Sequence, residues 1–339
     1  MNENLSKPTN DTSEKQHVLM SGAGPASTSG QSLKASPKPI NDGLPTLIPL
    51  YEIWNVASKD ILERREDPEH KIGLTSIDEI LWGVRKKILY TIGARTSHGK
   101  TSFAINMVKE FADKHSRIIY FTMETSKEQV LEKLFCNFCE VDNLKLLHGK
   151  SAKEFNEKRK SFEKWISEIK LLIDDKYGYD FPSMLKVVEI IKPDFVFVDY
   201  IQMISTKGFR SKMDAIEEYV RKFAELAITQ NFAAILISQI NRSGVDEPTM
   251  SKFKHAGVLE EHSRVAVILS YNKIKGTYIV NVEKNSFGRT GEFNVKFEPE
   301  YSRFRDLTEK EIQEIEDKKR PLTRPLGGLH SKERSDLEG

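Results

Sequence analysis

The chain has 339 residues, 38% of them hydrophobic, with 52 Lys and Arg against 50 Asp and Glu. That length fits one large domain with appendages or two small domains, and the low apolar fraction predicts that part of the chain stays outside a packed core. The net charge of +2 excludes a nucleic acid held by bulk charge, so any such partner must be met by a local patch.

No apolar run approaches the length of a membrane span. The first residues carry neither an apolar signal core nor an Arg-rich transit sequence, which predicts a cytoplasmic protein with no membrane partner. Residues 1–45 are rich in Ser, Pro, Gly, Asn and Lys without periodicity, the composition of a disordered tail. Residues 46–71 read as an amphipathic linker helix and a charged linker. Leu50, Ile53, Trp54, Ala57, Ile61 and Leu62 recur at helical spacing and are followed by a charged stretch at 63–69. The stripe has its own core or a neighbouring protomer to pack on.

From 72 to 307 strand-like runs alternate with helical patterns. Strands are predicted at 88–92, 118–123, 171–173, 195–198, 233–237 and 265–269, and helices at 101–114, 126–139, 152–169, 183–191 and 213–229. This order predicts an α/β fold, a mostly parallel sheet with helices on both faces. Residues 277–282 and 292–297, with a turn between them, predict an antiparallel hairpin at one edge. Residues 308–339 read as a charged, largely disordered tail with a short helix at 309–318. Cys136 and Cys139 form a lone CxxC on a predicted helix. Without a second pair it reads as two ordinary helix residues in a reducing compartment.

The chemistry concentrates at residues 94–101, Ala94-Arg95-Thr96-Ser97-His98-Gly99-Lys100-Thr101, set between a strand and a helix that continues through Ser102. A triphosphate needs backbone N–H groups and a helix N-terminus aimed at its charge. Gly99 lets the backbone approach the phosphates, Lys100 can reach the β- and γ-phosphates, and the Thr101 hydroxyl can bind Mg²⁺. Ala94 stands where the general motif has its first glycine, which is tolerable if its φ stays negative.

Three strand ends support this loop. Asp199 closes the apolar run 195–198. Alone it would serve as a strand-end cap; beside a phosphate loop it is a metal-side carboxylate. Glu124 follows the strand at 118–123, placed to activate a water as general base or to favour the next helix's N-terminus. Gln239 follows the strand at 233–237, where a neutral amide can bond a γ-phosphate or merely cap the strand. In a parallel sheet these ends share the ligand-binding edge.

The order of ARTSHGKT, FTMET, VDYIQ and SQINRS, followed by a Gly-containing loop and a hairpin, resembles the C-terminal RecA-like motor domain of DnaB-type replicative helicases, over residues 72 to about 305. The resemblance implies a RecA-like P-loop NTPase core, ATP and Mg²⁺ as cofactors, a ring hexamer of identical chains, single-stranded DNA as track, and a possible primase or loader. It makes Lys100 and Thr101 ligands of phosphate and Mg²⁺, Glu124 the catalytic base, Asp199 the metal-side carboxylate and Gln239 the γ-phosphate sensor. The family's DNA loop is matched by the run from Lys254 to Glu260, with Lys254, His255 and the backbone near Gly257 meeting DNA phosphates. Lys284 matches a lysine that reaches a neighbour's site. Ser286 stands where the family has an Arg finger, and Arg289 could substitute if Gly288 turns the chain.

The function expected is therefore an ATP-dependent DNA motor of helicase type. Two alternatives are a RecA-like ATPase that does not unwind and a nucleotide-binding regulatory subunit with weak turnover, the latter favoured by Ser286.

Overall fold

The computed structural model describes residues 50–62, 70–113, 115–240, 256–272 and 276–319. The tail expected over 1–45, the linker at 63–69 and the stretch beyond 319 lie outside these residues. The chain divides into two units, Met1–Arg64 and Arg65–Gly339. In the first, the apolar stripe forms α1 (Leu50–Leu62), with Glu52 in its first turn and Lys59 in its last, charges that complement the helix dipole.

The second unit begins with α2 (Thr75–Leu81), seven residues too short to register as a periodic pattern. Asp78 secures it by accepting the backbone N–H groups of Ile72, Gly73 and Leu74 at 2.7, 3.0 and 3.2 Å. Among the described residues nine strands follow: β1 (Ile88–Ala94), β2 (Arg117–Thr122), β3 (Lys170–Asp174), β4 (Phe195–Asp199), β5 (Ala233–Gln239), β6 (Val265–Asn272), β7 (Thr277–Asn285), β8 (Gly291–Glu298) and β9 (Arg303–Asp306). They form one sheet in the order β3-β2-β4-β5-β1-β6-β7-β8-β9. The strands from β3 to β6 in that order run parallel, and β7, β8 and β9 run antiparallel. The predicted edge hairpin thus gains a third strand. β9 escaped the sequence reading because it has four residues and buries only Phe304.

Central strands are buried on both faces, so their two alternating sets of side chains serve two cores. Ile88, Tyr90 and Ile92 of β1 join Phe103 and Met107 of α3 (Lys100–Phe111), with α4 (Lys127–Cys139) on the same side. Leu89 joins the opposite cluster with Met184 of α7 (Phe181–Ile191) and Tyr219 and Phe223 of α8 (Lys212–Gln230). Ser126, Asp180 and Ser211 start α4, α7 and α8 by accepting an N–H three residues on. The remaining helices are α5 (Asn143–Leu147), α6 (Ala152–Glu168), α9 (Ala256–His262) and α10 (Glu309–Lys319). Cys136 and Cys139 sit buried on α4, and burial pushes the Cys136 thiol up to about 12. No described helix is long and apolar enough to cross a membrane.

Thr308 and Glu311 form a capping box at the start of α10, exchanging N–H bonds of 3.3 and 2.9 Å. Arg305 of β9 donates to both Glu311 oxygens at 2.8 and 3.0 Å. Arg305, then the Thr308 donors, hold this carboxyl at about 2 against its usual 4.5. A carboxyl depressed by folding stabilises the fold fully above its unfolded pKa and progressively less as pH falls toward the folded one. Glu311→Gln is expected to cost about 1 kcal/mol in urea unfolding at pH 7, a modest value because the pair is partly solvated. The gap between the two proteins should close as pH falls from 4.5 toward 2. A gap that ignores pH would show that the charge of Glu311 does not stabilise the fold.

Candidate nucleotide site

Register gathers the site. Ala94 at the end of β1 is level with Gln239 at the end of β5, and Thr122 at the end of β2 is level with Asp199 at the end of β4. The loops leaving these ends surround the turn from β1 into α3. Ala94 is fully buried with φ outside the positive range, and its carbonyl accepts the Ile240 N–H at 3.0 Å. Ser97 and Gly99 take the left-handed conformation, φ 64° and 78°, on either side of His98, which does not. Such alternation turns successive N–H groups toward a common anion. Gly99 has a second constraint: a Cβ there would meet Phe304 at 2.9 Å and Phe297 at 3.3 Å. The glycine read as a site for phosphate approach is thus also fixed from behind by β8 and β9.

Lys100 opens α3, only 7% exposed, with its Nζ 3.9 Å from Glu124 Oε2 and 5.2 Å from the centre of the Tyr200 ring. Thr101 Oγ1 donates to Asp199 Oδ2 at 2.7 Å, and the Tyr120 hydroxyl donates to the same oxygen at 2.8 Å. Burial, reinforced by the Asp199 charge, holds the Tyr120 phenol well above its usual range, so it remains a donor. Asp199 Oδ1 is buried without a hydrogen-bond donor among the described residues. A buried carboxylate oxygen in that condition calls for a cation or its water shell. Thr101 directs its proton to Asp199, which leaves its lone pairs for the same cation. The donor set fits Mg²⁺. Burial, and then the nearby Arg95 charge, push His98 down, so it is neutral at pH 7.

A cleft of about 380 Å³ lies along this edge, lined by Thr96, Gly99, Lys100, Thr101, Glu124 and Lys133, among others. Ser97 and Ser102 also line it; Ala94, Arg95 and His98 do not. Gln239 borders the loop, its Nε2 donating to Thr96 Oγ1 at 2.7 Å. Lys100, Thr101, both carboxylates and the Gln239 amide are therefore brought together, Asp199 through Thr101 and Gln239 through Thr96. The sequence reading missed Lys133, Tyr120, Phe297 and Pro299 as parts of this edge. Lys133 stands two turns into α4, and its direction depends on how α4 packs on α3.

Lys284 and Arg289 do not approach this cleft. Asn285, the last residue of antiparallel β7, is level with Val265 and through it with Tyr90, whereas Ala94 is level with Leu269 and Val280. Lys284, level with Ala266 and through it with Thr91, therefore lies about 10 Å down the sheet from the Ala94 edge. The turn is tight: Asn285 accepts the Phe287 N–H at 3.0 Å and donates to the Arg289 and Ile80 carbonyls at 3.0 and 3.2 Å. Gly288 turns without a positive φ, and Arg289 is exposed. Lys254 and His255 lie outside the described residues. Gly257, expected in a loop turn, instead lies within α9. The adjacent Val258 and Leu259 are buried in the α8-side core, and that burial favours helix there.

Similarity to known proteins agrees with this geometry. The replicative DNA helicase DnaB of Haemophilus influenzae is 25% identical over 274 residues, covering 74% of this chain and 58% of its own length. DnaB of Geobacillus stearothermophilus is 26% identical over 254 residues, covering 69% of this chain and 56% of its own. The chain thus spans little more than half the length of these relatives. A DnaB-like replicative helicase, solved in a study of its interactions with primase, superposes with TM-score 0.69 at 21% identity, over 77% of this chain and 69% of that one. A separately solved ATPase domain gives the same TM-score and identity over 99% of its own chain. These two establish a shared fold, the RecA-like sheet with its antiparallel edge. The sequence model of the DnaB-like helicase C-terminal domain matches residues 71–306, from just before α2 to the last residue of β9, and to that family the chain belongs.

Proposed function

We propose that the chain is the ATP-hydrolysing motor of a ring-forming helicase that moves along single-stranded DNA. The observation that carries this reading is the meeting of Lys100, Thr101, Glu124, Asp199 and Gln239 around one cleft. In it Lys100 holds the β- and γ-phosphates, Thr101 and Asp199 hold Mg²⁺, Glu124 takes the proton of the attacking water, and Gln239 senses the γ-phosphate. Mg²⁺ there supplies neutralisation of the charge that develops on the transferred phosphoryl group. The names of the relatives support a replicative role, and the neighbour studied with primase supports a primase or loader as partner. Steady-state ATP hydrolysis, at a protein concentration where a ring assembles, should rise with oligo(dT). An identical rate with and without DNA removes DNA from the reading.

DNA contact is assigned to Lys254, His255 and the backbone near Gly257. Because the chain is almost neutral, each protomer neutralises few phosphates. Lys254→Ala should weaken binding to all single strands alike and lower the log–log salt slope by about one unit per engaged protomer. Unchanged affinity and slope would make this stretch plain surface.

Lys284 and Arg289 are assigned to the cleft of a neighbouring copy, since neither approaches its own. Arg289→Ala should lower kcat by about a thousandfold or more while nucleotide affinity holds, because an arginine of this kind acts on charge that develops in the transition state. Ser286→Arg should then add little. A specific observation favours a second reading, a regulatory subunit with weak turnover: Ser286 occupies the place of the family's arginine. A feeble wild type that Ser286→Arg accelerates, with Arg289→Ala silent, would establish that reading instead.

A further inference from the structure

We infer that Gln202 is a positioning residue that ties the turn after Asp199 to the strand bearing Gln239, so that the state of the cleft is passed along β5; the inference rests on the ATP-driven reading of that cleft. After Asp199 the chain enters a single 3-10 turn, Ile201–Met203, in which Gln202 is 4% exposed. Its side-chain amide is used at both ends. Nε2 donates to the Ser238 hydroxyl at 2.7 Å, and Oε1 accepts the backbone N–H of Gln239 at 3.3 Å. Gln239 in turn donates to Thr96 of the phosphate loop at 2.7 Å. On the other side of that loop, Thr101 donates to Asp199 at 2.7 Å. The circuit runs from Thr96 through Gln239 and Gln202 to Asp199, then back to the loop at Thr101.

Gln202 and Ser238 are buried and bonded to each other and to the Gln239 backbone, so they act through Gln239 and not on a nucleotide. Ser238 is fully buried. Displacing either end of a satisfied buried amide strands polar groups without water, which makes the joint stiff. The ends of β4 and β5 are therefore held to each other, and the Gln239 side chain swings from a fixed backbone. To bond a γ-phosphate its amide either turns from Thr96 or uses its second N–H, and the backbone it swings from continues in sequence toward Lys254 and His255. An apolar residue at 202 would fill the same space without fixing that pivot.

The test is an equilibrium one on the full chain. Affinity for a fluorescent oligo(dT) is measured with a non-hydrolysable ATP analogue and with ADP, and the ratio of the two dissociation constants reports coupling. The wild-type ratio should differ from one by about tenfold, within the usual range for coupled sites. Gln202→Met, of similar volume but without the amide, should bring the ratio to within about twofold of one while affinity for the analogue itself stays at the wild-type value. Mere destabilisation would reduce the active fraction and leave the ratio intact. Ser238→Ala removes one end of the joint with less disturbance, and should cut the ratio by about threefold. A wild-type ratio in Gln202→Met, or in Ser238→Ala should the first variant not fold, overturns the inference and leaves the ATP reading standing. A wild type that binds the analogue but shows a ratio of one also overturns the inference alone. A wild type that binds neither nucleotide overturns both.

Discussion

Glu124→Gln is expected to bind ATP at least as tightly as the wild type and to hydrolyse it about 10²–10⁴ times more slowly, the usual contribution of a positioned base. The carboxylate stands at the mouth of the cleft, half exposed, with its oxygen 3.9 Å from the Lys100 ammonium. The amide keeps the shape and cannot take the proton of an attacking water. It also removes a negative charge from beside a triphosphate, which is why affinity should hold or rise. Single-turnover hydrolysis and equilibrium binding of a fluorescent ATP analogue separate the two effects. Wild-type turnover in the variant would exclude Glu124 from the chemistry and leave it as a partner of Lys100.

Lys100→Ala should abolish measurable turnover, a loss of at least about a hundredfold for one preorganised charge on the reacting group, and should weaken nucleotide binding as well. The two variants differ in a diagnostic way. In the proposed mechanism Lys100 meets the nucleotide in both ground and transition states, so affinity and rate should fall together; Glu124 acts on the water, so only rate should fall. The lysine is buried at the first turn of α3, where the helix N-terminus already favours anions. Residual binding in Lys100→Ala is therefore expected from the backbone around Ser97 and Gly99. Unaltered affinity and rate together would show that the cleft is not a triphosphate site.

Much of this arrangement is legible from local pattern. The strand–loop–helix around Gly99-Lys100-Thr101 needs no distant residue to be recognised, and the doubly buried strands announce themselves as short unbroken apolar runs between helical periods. Asp199 and Glu124 follow from a single further rule, that parallel strands end at one edge. What depends on register between distant segments is not legible. The Tyr120 to Asp199 bond joins residues 79 apart and needs β2 beside β4. The circuit through Gln202 needs β4 beside β5, and nothing in the run Asp199-Tyr200-Ile201-Gln202 marks its fourth residue as a joint. Gly257 misled for a different reason: a glycine suggests a turn, yet burial of Val258 and Leu259 outweighs its poor helix propensity. β9 is invisible because three of its four residues are charged, and its one apolar side chain, Phe304, finds its partners Phe103, Tyr278, Phe297 and Gly99 only in the fold.

In the proposed function, ATP turnover at this cleft moves the chain along DNA. Displacement of streptavidin from a biotinylated single strand tests it most directly, with the biotin at the 5′ end in one substrate and at the 3′ end in the other. Wild type with ATP and Mg²⁺ should clear streptavidin from one end at a rate far above spontaneous loss, and the Glu124→Gln protein should not. DNA-stimulated hydrolysis without displacement from either end would contradict the claim, leaving a RecA-like ATPase that binds DNA and does not travel along it.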